Sequence, residues 1–238
     1  MLDYFMRTLK YSQIFTNFAH VMSNPLKQLA GETAIYGLST ILARIINFLF
    51  VPFYTRLLTT ASYGVVTEFM AYIAVLQVVL VLGLETGCFK FANRKDVDAK
   101  TVYANALVTV AGVCFAFLGF MTLFSDQIAS ALGYGGFGNC IIYVGGILAL
   151  DCTTAILFAK LRQEHKALKF AVIKTVKILT ETAANMVFFF WYPSHTNHFL
   201  GNFISPTPDF TYVIFAILLS SIVCGILFLP DLFHFSFE

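Results

Sequence analysis

The sequence predicts an all-α polytopic membrane protein, a bundle of six transmembrane helices. Three observations carry that expectation. Of 238 residues, 58% are hydrophobic and 12% are charged, about half the charged share of a soluble domain. Six apolar runs are each long enough to cross a bilayer, which takes about 20 residues at 1.5 Å of rise apiece. Lys and Arg gather in alternate connections, the pattern of a chain threaded back and forth through a membrane. So little polar surface cannot coat a globule in water. The composition therefore excludes a soluble enzyme, a disordered chain and a nucleic-acid binder, and no nucleic-acid partner is expected.

Residues 1–27 precede the spans. Tyr4, Phe5, Leu9, Ile14, Phe15 and Phe18 suggest the apolar face of an interfacial helix, with a poorly ordered cytoplasmic tail as the alternative. Arg7 and Lys10 interrupt any signal-peptide core, and Met22 is a second candidate start. The spans run from Thr33 to Leu58, Tyr63 to Phe89, Val102 to Phe124, Cys140 to Lys160, Phe170 to Tyr192 and Phe210 to Leu229. All are too long for strands. Residues 28–230 thus form a transmembrane lobe, and residues 231–238 read as a connection leading out of it.

Orientation follows from the basic residues. Eleven lie before span 1, between spans 2 and 3, and around the connection of spans 4 and 5, whereas the other connections hold only Arg56. Both termini are expected in the cytoplasm. The opposite loops look passive. Gly133-Tyr-Gly-Gly-Phe-Gly138 has the spacing G-x-G-x-x-G but follows no strand, so it reads as a flexible turn. His195 and His198 lack a third ligand nearby and read as solvated, in a loop broken by Pro193, Pro206 and Pro208. The five cysteines show no C-x-x-C or metal spacing and read as small buried hydrophobes.

The informative residues are ionisable groups inside the spans, each costing about 2.5–3.5 kcal/mol at a helix centre. Spans 3 and 6 have none, whereas Arg44, Glu68, Glu85, Asp151, Lys174, Lys177 and Glu181 fall on the other four. That concentration predicts a shared polar interior. In span 1, Tyr36, Thr40, Arg44, Asn47 and Tyr54 follow at intervals of four, four, three and seven, which places them on one helix face. Arg44 is near mid-bilayer and fits either contact with an anionic substrate or a structural pair with Asp151 or Glu181. In span 5, Lys177 and Glu181 are spaced to pair along the helix, while Lys174 is shallow enough to snorkel. Glu181 and Asp151 read as counter-ions or as protonatable coupling groups. Glu68 and Glu85 lie towards helix ends and are expected to be solvated. Pro52 lacks the amide that would bond the Phe48 carbonyl, so it is expected to bend the outer third of span 1, as a static kink or as a gate hinge.

Several stretches resemble one family. Asn24-Pro-Leu-Lys-Gln-Leu-Ala-Gly-Glu-Thr-Ala-Ile-Tyr-Gly-Leu-Ser39, Ala43-Arg44-Ile-Ile-Asn47, Val51-Pro-Phe-Tyr-Thr-Arg56, Leu82-Gly-Leu-Glu85 and Leu161-Arg-Gln-Glu-His-Lys-Ala-Leu168 resemble bacterial O-antigen-type flippases of the multidrug/oligosaccharidyl-lipid/polysaccharide exporter superfamily. The resemblance covers about residues 22 to 238. It implies a two-lobed transporter of twelve to fourteen helices in the bacterial inner membrane, and the six spans here would be its N-terminal lobe. It implies flipping of undecaprenyl-diphosphate-linked oligosaccharide in lipopolysaccharide biosynthesis, with no enzymatic activity. It also implies a cationic cavity, where Arg44, Lys177, Lys174, Asn47 and Tyr36 would meet the anionic headgroup. No cofactor is implied beyond proton or sodium coupling through Glu181 and Asp151. The expected partners are the lipid-linked oligosaccharide, membrane lipid, and a second lobe or second copy, because one lobe reads as a truncated or split transporter. The alternatives are a multidrug or solute exporter lobe and an inactive membrane fragment.

Overall fold

Each long apolar run forms a helix in the computed structural model, which describes residues 25–94, 97–191 and 209–233. Among those residues there is no strand. The interfacial-helix expectation for the N-terminal segment, and the expectations for His195, His198 and the surrounding prolines, fall outside the described residues.

Helix α1 covers Pro25–Leu57 and runs unbroken through Pro52, so the expected bend does not interrupt it. Helix α2, Thr60–Val81, starts where the Thr59 side chain accepts from the Ser62 amide at 3.2 Å, capping an otherwise unpaired donor. The second span is not one helix. It breaks at Leu82 and Gly83, which both take left-handed backbone (φ 55° and 66°), and resumes as α3, Leu84–Ala92. Gly83 tolerates this without strain, and Leu82 does so as the C-cap of α2. Helix α4, Ala99–Leu123, is capped by Asp98, and a short α5, Ser125–Ala131, follows it. Helix α6 covers Gly138–Gln163, α7 covers Ala167–Met186, and α8 covers Phe210–Phe233.

Among the described residues, five spans meet the demands of length and apolarity for crossing a membrane: α1, α2 with α3, α4, α6 and α8. Helix α7 continues as a π-helical turn over Val187–Trp191 and so matches them in length. Its composition falls short because it carries Lys174, Lys177 and Glu181. Immediately before the π-turn, Asn185 donates its amide to the Glu181 carbonyl at 2.9 Å. That competes with the helix's own ladder, and widened turns form where the ladder is disturbed.

Helix α6 is the axis of the bundle. It packs against α2, α4, α5 and α8, and its side chains supply much of the core. Gly145 lets α4 approach closely, because a Cβ there would lie 3.0 Å from Leu118 Cδ1 and 3.2 Å from Met121 Cβ. All five cysteines are buried and free. Helix α1 lies at the periphery and packs mainly on α7. It buries Glu32, Ser39, Tyr54 and Leu58 and leaves Leu38, Phe48 and Leu49 exposed, an apolar face suited to lipid or to another membrane helix.

Two regions depart from the sequence expectation. The glycine-rich turn after α5 is not loose. Gly133 and Gly136 take positive φ (84° and 91°), which forms the turn. Tyr134 and Phe137 then reach inward onto Phe210, and Tyr134 also lies 5.3 Å from the Phe69 ring. The Tyr134 hydroxyl donates to Glu68, which also accepts from Tyr72. Glu85 is likewise engaged, by the Arg162 guanidinium. Both glutamates therefore anchor distant segments instead of facing water alone. Their partners lie 66 and 77 residues away, beyond the reach of any local spacing rule.

The Tyr134–Glu68 bond gives a pH prediction. Donation to the carboxylate, aided by burial, pushes the Tyr134 phenol up to about 12, from about 10 in an ordinary tyrosine. A raised folded-state pKa means the bond's contribution is complete below about pH 10 and is lost as pH rises through about 12. An alkaline absorbance titration of the parent minus that of Tyr134→Phe isolates this phenol. Repeating the subtraction on a Glu68→Gln background is expected to move its ionisation back towards 10.

Candidate functional site

The polar side chains of the spans converge where α1 lies along α7. The basic end of this contact is tied by a hydrogen bond between His165 Nδ1 and Glu32 Oε2 at 2.7 Å. His165 itself takes φ 57° in the turn between α6 and α7. Deeper in, the Tyr36 ring meets Phe170 edge-on at 5.0 Å, and its hydroxyl is buried with no hydrogen-bond partner among the described residues.

One turn further, Thr40 donates to the Tyr36 carbonyl at 2.9 Å and accepts from Lys174 Nζ at 3.1 Å. The Lys174 ammonium also stands 5.3 Å from the Phe170 ring centre, a cation–π contact that retains the charge without neutralising it. Lys174 has no carboxylate within ion-pair distance among the described residues, and it lies in the field of Arg162, Lys177 and Arg44.

Lys177 differs. It bonds Asp151 of α6 at 2.6 Å, and these side chains are only 22% and 14% exposed. The sequence allowed pairing of Lys177 with Glu181 along the helix. The structure pairs it with Asp151 instead, because Asp151 projects from α6 directly towards α7. Glu181 is thereby left half-buried, feeling the charges of Lys177 and Asp151 but without an ion pair among the described residues. Asp151 is consumed as a counter-ion, so Arg44 does not pair with it.

Arg44 and Asn47 are exposed on the flank of α1, while Tyr36 and Thr40 are half-buried and Tyr54 is buried. The five residues share one broad face, and Arg44 sits at its edge, about 80° around from Tyr36 at 100° per residue. Pro52 is exposed on the far side of the helix. Among the described residues, neither the cavity of about 240 Å³ nor the one of about 490 Å³ is lined by Arg44 or Lys177. What the fold does assemble is an open cationic flank, with Arg44 and Lys174 forward and the Lys177–Asp151 pair behind.

Sequence reasoning missed the polar contacts that tie the basic end of the bundle: the Arg162–Glu85 and Lys169–Asp231 ion pairs and the His165–Glu32 hydrogen bond. Each joins residues 62 or more positions apart. An excess of acidic residues just inside helix ends opposite the basic loops is the only signal that could have found them.

Comparison with known proteins gives one match. No curated protein and no solved structure matches the chain. Residues 53–228 match the family described as polysaccharide biosynthesis protein. The matched region contains Asp151, Lys174, Lys177 and Glu181, and begins after Tyr36, Arg44, Asn47 and Pro52. With most of its length inside that match and its long apolar helices, the chain is a multi-pass membrane member of the polysaccharide biosynthesis protein family.

Proposed function

We propose that this chain forms one half of a transporter that moves a polyprenyl-diphosphate-linked oligosaccharide across the bacterial inner membrane, the diphosphate passing along the α1–α7 flank. The observation that carries the reading is the state of the cations. Arg44 and Lys174 hold positive charge at span depth with no carboxylate paired to either among the described residues. A cation kept uncompensated in hydrocarbon is costly, and an anionic ligand removes that cost. The guanidinium suits a phosphate because it can donate two parallel bonds. Lys177 then serves to hold α7 against α6 through Asp151, with the charge of Lys174 presented one turn away. Asn47 offers an amide to sugar or phosphate on the same flank. The exposed apolar face of α1 leaves room for a second lobe or a second copy, which would close the flank into a passage. The distribution of basic residues supports a cytoplasmic side for both termini.

Membership of a polysaccharide biosynthesis family supports this reading. One observation favours a second reading, an exporter of cationic solutes: Glu181 is a carboxylate at span depth with no ion pair among the described residues. Proteoliposomes separate the two. The chain, alone and with a co-reconstituted second lobe, is assayed with a fluorescent polyprenyl-diphosphate disaccharide and, separately, with a lipophilic cationic dye. Accelerated transbilayer movement of the lipid that is lost in Lys174→Met supports the flippase. Dye movement that is lost in Glu181→Gln, with no lipid movement, supports the exporter.

A further inference from the structure

A second site lies away from α1 and α7. Helices α4 and α8 pack on either side of α6 without packing extensively on each other. The furrow between them is a cavity of about 490 Å³, floored by Leu150 and Leu157 of α6 and walled by Val108 and Phe115 of α4 and by Ile226 and Leu229 of α8. The two hydroxyls in its floor are turned back onto their own helix: Thr153 donates to the Ala149 carbonyl at 2.7 Å and Thr154 to that of Asp151 at 3.2 Å. The furrow therefore presents hydrocarbon throughout.

Its position matches one leaflet. Along α4 it extends from Leu107 to Phe115, and along α6 from Ala149 to Leu157, in each case a rise of about 12 Å. The α6 stretch lies in the half of its helix nearer the basic loops, whereas the α4 stretch is centred on the middle of Ala99–Leu123. Half the hydrocarbon thickness is about 15 Å. Along α8 the lining runs from Leu232 at the basic end to Ile222 near mid-helix, a rise of about 15 Å, so on that side the furrow reaches from the basic surface to about the bilayer midplane, and on α4 it extends about one turn beyond.

Its mouth is charged. Leu157 also lines a second cavity of about 240 Å³, which opens at the basic end between Lys100, Lys160, Glu164, Lys166 and Asp231. Glu164 is shared by Lys166 at 2.6 Å and Lys160 at 3.7 Å, and Asp231 is already bonded by Lys169 at 2.6 Å. The Lys100 ammonium has no carboxylate partner among the described residues. Three ammonium groups and two carboxylates line the mouth, and Lys169 already bonds one of those carboxylates, Asp231, so the mouth carries surplus positive charge at the end of an apolar slot.

We propose that this furrow and its mouth bind one anionic phospholipid of the leaflet on the basic side, an acyl chain lying in the α4–α6–α8 groove and the phosphate at Lys100, Lys160 and Lys166. The length of the slot selects an acyl chain. The surplus charge at its end selects an anionic headgroup over a zwitterionic one. The bound lipid bridges α4 and α8, which do not support each other directly. None of these residues belongs to the transport flank, so this site stands or falls independently of the transport reading.

The test uses the full chain in phosphatidylcholine nanodiscs doped with phosphatidylglycerol carrying a photoreactive diazirine midway along one acyl chain. The matching phosphatidylcholine probe serves as reference, and cross-linked residues are mapped by mass spectrometry. Cross-links are expected to concentrate on the groove residues of α4, α6 and α8, with the glycerol probe exceeding the choline probe at least fivefold. Lys100→Gln with Lys166→Gln is expected to remove that excess. Gly225→Leu fills the slot, since a Cβ there already touches Leu150 at 3.6 Å, and is expected to lower labelling by both probes. Val108→Trp, at an exposed rim position, does the same if Gly225→Leu fails to fold. Equal labelling by the two probes, cross-links spread evenly onto the exposed face of α1, or variants that label like the parent would each overturn the proposal.

Discussion

Arg44→Ala is expected to reduce surface polysaccharide by roughly 10- to 100-fold in cells whose display depends on this chain, with the amount of protein in the membrane unchanged. The size follows from losing charge-assisted bonds to a phosphate, worth about 1.5–3 kcal/mol, at about 1.4 kcal/mol per factor of ten. Protein levels should hold because Arg44 is exposed and pairs with no carboxylate among the described residues, so its removal opens no cavity and strands no partner. Arg44→Lys keeps the charge but loses the fork of parallel donors, and an intermediate phenotype is expected. Lys174→Met should compound the defect, because both cations face the same flank. Normal display in Arg44→Ala, measured by surface staining against a membrane-fraction blot, removes this residue from the route.

Asp151→Asn should produce the opposite profile, with damage to the fold first. It strands the Lys177 ammonium between α6 and α7 after its carboxylate is gone. Breaking one side of a buried pair costs about 3–5 kcal/mol, which should appear as a much lower thermal midpoint in detergent and reduced chain abundance. The double variant Asp151→Leu with Lys177→Met removes both charges together and is expected to recover most of the midpoint. A pair that acted only in transport would behave otherwise: the single variant would melt like the parent and only polysaccharide display would fall. Comparing melting with display across the three proteins therefore separates a structural pair from a coupling pair.

These two predictions rest on a division between Arg44 and Lys177 that no spacing rule supplies. Both are cations at span depth, and from sequence both fit contact with an anionic headgroup. Only the placement of α6 against α7 commits Lys177 to Asp151. Pro52 shows a related limit of local reading. Its chemistry predicts a bend in span 1, where α1 continues through it, while the break in helical structure falls in span 2 at Leu82–Gly83.

The all-helical, membrane-embedded class was legible from composition alone, because apolar runs of this length have to satisfy their backbone bonds within themselves when water is absent. The helix ends came within a few residues for most spans, since Thr59, Asp98, Gly138 and the proline-marked loops punctuate the chain locally. The face of α1 bearing Tyr36, Thr40 and Tyr54 was legible from the helical period. The partners were not. Asp151 with Lys177, Glu68 with Tyr134, Glu85 with Arg162 and the apolar furrow beside α6 all depend on how helices far apart in the chain are set side by side. A helical period states which way a side chain points from its own axis; which neighbour waits there is decided when the bundle packs.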